Sequence, residues 1–154
     1  MSHYPYSDDT LRDILENTKT IAVIGASVTQ SRPSHVIMDF LLQNGFDVFP
    51  VNPALAGKEI LGKTVYASLP DIPRKVDMVN LFISSDRTGP VIEAALSLPH
   101  PPDIIWMQSG IWNDKACQDK STKDTRFVMD RCIKEEILRL AIPPKKTSGE
   151  LFPS

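Results

Sequence analysis

Charge of one sign, cysteine and long apolar runs are all scarce in this chain. Its 154 residues carry 17 Lys and Arg against 19 Asp and Glu, a formal net charge of -2. No basic stripe stands out beyond Lys145-Lys146, which excludes a nucleic-acid backbone as the main partner. The two cysteines, Cys117 and Cys132, lie apart in sequence and form no short-spaced metal pattern. That argues against a disulfide scaffold and for a reducing, cytoplasmic setting. No apolar run approaches the roughly 20 residues that cross a bilayer, and Met1-Ser2-His3-Tyr4-Pro5 has neither half of a secretory leader, so no membrane is expected among the partners. Internal repeats, low-complexity blocks and a second domain are missing too. What remains is an ordinary globular composition, 42% hydrophobic and 23% charged, at a length that suits one domain with a full core. The domain is expected over residues 1–142, and a loose Pro/Lys/Ser/Gly-rich tail over 143–154.

Within that domain, apolar runs of strand length alternate with helical patterns. Strands are expected over 20–25, 46–51, 64–67, 76–83, 104–108 and 126–129. A short helix capped near Ser7 presents Leu11, Ile14 and Leu15 and packs on the sheet edge. The next helix spans 33–44, with Val36, Ile37, Phe40 and Leu41 on one face, Pro33 in its first turn and Gly45 just past its end. Residues 54–62 read as a loop, Val91, Ile92, Ala95 and Leu96 mark a third helix, and two more are expected over 113–120 and 133–140. Such alternation predicts an α/β fold, a mostly parallel sheet with helices on both faces.

The most informative stretch is Thr20-Ile21-Ala22-Val23-Ile24-Gly25-Ala26-Ser27, a buried strand stopping on a tight turn before Arg32-Pro33-Ser34 opens a helix. Such a turn brings backbone N–H groups and a helix dipole toward a phosphate, so a nucleotide-type ligand is the first expectation. The glycine pattern is short of a full G-x-G-x-x-G, and a glycine after the first strand also occurs for packing alone. The polar loop adds hydroxyls at Ser27, Ser31 and Ser34 and one guanidinium at Arg32, which either grips an anion or sits in solvent. A nicotinamide enzyme places an acid at the end of the second strand to hold the ribose hydroxyls. Val51-Asn52-Pro53 stands there instead; Asn52 either meets a ribose or base edge or forms a turn before proline.

Several short motifs together resemble a known family. Besides Thr20–Ser27, Arg32-Pro33-Ser34 and Val51-Asn52-Pro53, they are Glu59-Ile60-Leu61-Gly62, Ser68-Leu69-Pro70-Asp71-Ile72-Pro73, Val76-Asp77-Met78-Val79, Ile105-Trp106-Met107-Gln108-Ser109-Gly110-Ile111 and Val128-Met129-Asp130-Arg131-Cys132. Over about residues 10–140 the chain is similar to the small stand-alone coenzyme A-binding proteins, themselves similar to the N-terminal domain of the succinyl-CoA synthetase alpha subunit. The resemblance implies a Rossmann-like CoA-binding domain. It implies that Gly25, Ala26, Ser27, Arg32, Pro33 and Ser34 hold the CoA phosphates, that Asn52, Pro53 and Lys58 lie by the adenosine 3′-phosphate, and that Ser84 with Gln108, Ser109, Gly110 and Ile111 lines the rest of the groove. Two departures stand out. Leu81-Phe82-Ile83 replaces a common Val-Phe-Arg, and Cys132-Ile133-Lys134-Glu135 replaces a common Cys-Pro-Lys-Ile after an unusually charged 119–124 segment.

No catalytic residue is assigned. The synthetase relative works through a phosphohistidine and a nucleotide-binding partner, and both depend on domains not found in this sequence. His3, His35 and His100 have no neighbouring triad or metal pattern. Cys132 is the one candidate redox group, because it follows Asp130-Arg131 at a strand end where an arginine could lower a thiol pKa; the alternative is a buried small hydrophobe. Trp106 and Trp112 read as packing residues. The expected function is non-covalent binding of CoA or an acyl-CoA without evident catalysis, with no protein partner identified. The rivals are an NAD(P)-dependent oxidoreductase and a non-catalytic interaction module.

Overall fold

The computed structural model describes residues 5–119 and 124–145. In chain order the elements are α1 (Asp8–Glu16), β1 (Thr20–Ile24), α2 (Pro33–Gln43), β2 (Asp47–Val51), β3 (Glu59–Ile60), β4 (Lys63–Thr64), β5 (Met78–Leu81), α3 (Thr88–Leu96), β6 (Ile104–Met107), α4 (Asp114–Asp119), β7 (Arg126–Val128) and α5 (Ile133–Arg139). Five strands form one parallel sheet in the order β2-β1-β5-β6-β7. Every residue of β1, β5 and β6 is buried. Strands covered on both faces have no solvent side, which is why their sequences are unbroken apolar runs rather than alternations.

Helices α1, α2 and α5 cover one face, packing Leu15, Met38, Leu41 and Ile137 with Ile21, Met78 and Trp106. On the other face Ile92 and Ala95 of α3 meet Ala22, Val79, Leu81 and Ile105, and α4 adds Ala116 and Cys117. The fold is therefore the expected parallel α/β sandwich. The carboxylate of Asp77 accepts from the N–H groups of Lys19 (2.8 Å) and Thr20 (3.0 Å), fastening the start of β1 to the start of β5.

Local details differ from the sequence expectations. Helix α2 buries Ser34, Ile37, Met38 and Leu41, an i, i+3, i+4, i+7 stripe, while Val36 is 41% exposed. Met38 packs in the core with Ile21 and Met78, while Phe40 stays half-buried with the Lys134 ammonium of α5 5.4 Å from the centre of its ring. The loop over 54–62 contains β3, which pairs antiparallel with β4. The strand expected over 64–67 shrinks to that pair plus one parallel bridge from Tyr66 to Val51. Helix α1 sinks Leu11, Ile14 and Leu15 fully into the core beside the β7 edge, where Asp13 pairs with Arg126 at 3.0 Å. Of the residues expected to form a loose tail, 143–145 are described. The Lys145 N–H donates to the Asn44 carbonyl (2.7 Å) and its ammonium to the carbonyls of Leu15 and Glu16, the last of α1. Burial there holds the Lys145 pKa below its ordinary value. Residues 146–154 and 120–123, most of the charged 119–124 stretch among them, lie outside the described residues.

One core residue breaks the apolar pattern. Asn80, in the middle of β5 between Val23 and Trp106, is fully buried, and neither its side-chain nitrogen nor its oxygen has a hydrogen-bond partner. An unpaired buried polar group costs about 1–3 kcal/mol, so Asn80→Val is expected to raise the unfolding free energy by an amount of that order. Urea denaturation measures it, and a lowered midpoint would contradict the reading.

Candidate functional site

Strand β1 lies between β2 and β5, so the chain leaves its C-terminal end toward α2 on one face and leaves the end of β5 toward α3 on the other. A crevice opens where such connections diverge. The turn at its centre is fixed by backbone bonds. The N–H groups of Gly25 (3.0 Å) and Ala26 (3.3 Å) both donate to the Val51 carbonyl at the end of β2. Gly25 adopts φ +87°, and a Cβ there would stand 2.8 Å from the Phe82 carbonyl oxygen, so both conformation and space require glycine. The first two amides of the turn are thus engaged by the sheet.

The residues that follow in the loop border the crevice as well. The Ser27 hydroxyl accepts from the Thr29 N–H (3.0 Å), and the Ser27 carbonyl lies 2.9 Å from Nδ1 of His35, one turn into α2. Arg32 is the N-cap of α2 and makes no side-chain cap, and Pro33 occupies the first turn. The Arg32 guanidinium is exposed and, among the described residues, has no ion-pair partner. The helix start thus leaves both its dipole and a free guanidinium for an anion.

Asn52 takes the turn-forming reading. Its Nδ2 donates to the Ala26 carbonyl (2.8 Å) and its Oδ1 accepts from the Ala54 N–H (2.9 Å), so the amide ties the β1 turn to the end of β2. The 108–111 turn is held in a similar way. Asp130, at φ +60°, accepts the Gly110 N–H on its carboxylate (2.7 Å), and Oε1 of Gln108 accepts the first N–H of α5 from Ile133 (3.1 Å). Tyr6 accepts the Met129 N–H on its hydroxyl (2.8 Å), and burial is the main reason its pKa is raised.

Two cavities flank the turn and share Gly25, Asn52 and Phe82 as a common wall. The first, about 790 Å³, lies on the α2–α5 side. Gly25, Ala26, Ser27, Arg32, Pro33, Ser34, Asn52, Gln108, Ser109, Ile111 and Cys132 all reach it. Arg32 stands on its α2 wall and Glu135 on its α5 wall, so its charge is polarised. The second, about 570 Å³, lies on the α3 side and takes in Pro53, Ile83, Val91 and Arg87. Lys58, Ser84 and Gly110 line neither. Lys58 is exposed in the loop before β3, where its carbonyl accepts from Val65 (2.8 Å). Ser84 begins the single turn after β5, and Gly110 acts through its backbone.

The two cysteines differ. Cys132, the N-cap of α5, is half-buried on the wall of the first cavity. Arg131 does not serve it in the way the sequence suggests: its guanidinium pairs with Glu136 (3.3 Å) and lies 5.3 Å from the centre of the Tyr6 ring. Cys117 packs against the Met129 sulfur (3.5 Å), and burial, then Asp114, pushes its thiol up to about 11. Sequence reasoning missed His35, Asp130, Tyr6 and Arg87. Of these only His35 carried a signal, a polar residue one step after Ser34 on the helix that carries the loop. Among the described residues no group of His, Cys, Asp and Glu could hold a metal ion, and no helix is long and apolar enough to cross a membrane.

A parallel α/β sheet with a cleft at its strand-order reversal, beside a helix start whose N-cap residue is Arg32, defines a Rossmann-like domain. Residues 19–137 match the family of CoA-binding domains, and the chain belongs to it. It is 35% identical to the uncharacterized protein YneT of Bacillus subtilis over 124 residues, 80% of this chain and 89% of that one. It is also 43% identical over 82 residues to acetate–CoA ligase [ADP-forming] II of Archaeoglobus fulgidus, 52% of this chain but 12% of the ligase. Among solved structures, Prb, a redesigned form of the protein PH1109, superposes with a TM-score of 0.84 at 30% identity, covering 96% of this chain and 99% of that one.

Proposed function

We propose that this domain binds coenzyme A or an acyl-CoA non-covalently in the two-lobed cleft and acts as a binding domain without chemistry of its own. The observation that carries the reading is the free Arg32 guanidinium at the uncapped start of α2, beside cavities on both sides of Gly25. CoA has the matching form, with a pyrophosphate between an adenosine and a long neutral pantetheine arm. The pyrophosphate belongs at Arg32, with Ser27 and Ser34 beside it. The pantetheine arm runs toward Gln108, Ser109 and Ile111, where Glu135 would repel a phosphate but not an amide chain. The adenosine crosses Gly25 into the second cavity, beside Pro53.

Coenzyme A is expected to bind more tightly than NAD or NADP: Asn52 spends its amide on Ala26 and Ala54, and no acid stands at the end of β2 for the free adenosine ribose hydroxyls of NAD. Calorimetry of the protein against CoA, acetyl-CoA, NAD and NADP tests this. A melting temperature raised by millimolar NAD and left unmoved by CoA would overturn it and favour the oxidoreductase reading.

The thiol end of the ligand gives a second test. In this pose Cys132 borders the pantetheine arm, so CoA disulfide is expected to place one CoA on the protein, the Cys132 thiolate displacing a CoA thiolate. Cys117 is spared: with its pKa near 11 rather than 9.0, it offers roughly 100-fold less thiolate at pH 8 than an unperturbed thiol. Intact-mass measurement should show a single reducible adduct that Cys132→Ser removes, and an adduct surviving that substitution would refute the assignment.

A further inference from the structure

The second cavity has one charged residue on its wall, Arg87. The rest of that wall is apolar or uncharged, Ile83, Val91, Pro70 and Pro90 included. Arg87 ends the single turn that follows β5, and the turn is firmly held. The Arg87 N–H donates to the Ser84 carbonyl (2.9 Å), the Ser85 hydroxyl accepts the Trp112 N–H (3.0 Å), and the buried Thr88 hydroxyl donates to the Ser85 carbonyl (2.7 Å) while accepting from Asn113 (3.0 Å). The backbone that carries the guanidinium is therefore fixed, while the side chain is exposed and, among the described residues, has no ion-pair partner. Helix α3 begins at the next residue with no side-chain cap. Its start faces the same crevice as that of α2, so each lobe of the cleft has its own arginine beside a helix N-terminus.

Two cations on opposite sides of Gly25 suit a ligand with two separated anionic groups. We infer that Arg87 binds the 3′-phosphate of the adenosine and is the residue that distinguishes CoA from its form without that phosphate. This rests on the CoA reading of the cleft. An apolar slot of about 570 Å³ accommodates the adenine, and a phosphomonoester on the ribose can take a bidentate contact from a guanidinium at the rim. Lys58, which the family resemblance would put on the 3′-phosphate side, lies on neither cavity wall, whereas Arg87 lies on the second.

The test compares CoA with dephospho-CoA by calorimetry on the unaltered protein and on Arg87→Ala, Arg87→Lys and Lys58→Ala. The unaltered protein and Lys58→Ala should prefer CoA by roughly 10- to 100-fold, the usual range for one charge-assisted contact. Arg87→Ala should weaken CoA alone and bring both ligands to the same affinity, while Arg87→Lys keeps part of the preference. Because Arg87 is exposed, all variants should melt with the unaltered protein. Equal binding of the two ligands by the unaltered protein, or a preference lost in Lys58→Ala and kept in Arg87→Ala, would overturn the inference and leave the CoA reading standing. Failure of both ligands to bind any of the proteins would overturn the CoA reading itself.

Discussion

Gly25→Ala is expected to destabilise the free protein by about 2–4 kcal/mol, the sum of a left-handed backbone forced on an L-residue and an added methyl with nowhere to go. The added Cβ would sit 2.8 Å from the Phe82 carbonyl oxygen and 3.3 Å from the Ile83 side chain. That carbonyl is backbone, so relief needs the segment after β5 to move away from the end of β1. Gly25 and Phe82 wall both lobes of the cleft, and ligand binding should be lost together with stability. Chemical denaturation with a parallel binding titration reads both quantities. A variant as stable as the parent would show that the turn can rearrange, and the geometric argument would fail.

Arg32→Ala should have the opposite profile. Its guanidinium is exposed, so the denaturation midpoint of the free protein is expected to stay where it is. Binding of CoA should weaken by about 1.5–3 kcal/mol, or roughly 10- to 100-fold, as charge-assisted phosphate contacts do. The contrast matters because one substitution removes the shape of the site and the other removes only its charge. An unchanged dissociation constant would return Arg32 to the solvated loop charge that the sequence equally allows.

The sheet was legible because parallel strands buried on both faces leave unbroken apolar runs, and the helix borders because Pro33 and Gly45 punctuate them. The paired strands of Glu59–Ile60 and Lys63–Thr64 were not, since two residues are too few to show a period. The face of α2 was misread because Val36 and Met38 are both apolar, and only the packing of the helix on the core separates them. In the candidate site, Gly25, Ala26, Ser27, Arg32, Pro33 and Ser34 stand out in the strand–turn–helix pattern, and the structure gathers them along the first cavity. The roles of Asn52, Asp130 and Arg87 depend on where loops from separate strands come to rest, and no local pattern records that. Lys58 shows the same point in reverse: a basic residue that the family resemblance brings to the site ends outside both cavities.

The pairing of β1 has a kinetic consequence. Ile21 pairs with Val48 on one side and with Met78 on the other, so the pairing of this strand is completed only when two distant parts of the chain have both arrived. Such non-local closure makes folding slow compared with a helical bundle of similar size. The crevice at Gly25 needs the ends of the same three strands, and it forms only when that closure is finished. A ligand held there cannot guide the chain toward the native state; it acts afterwards, by slowing the chain's escape from it.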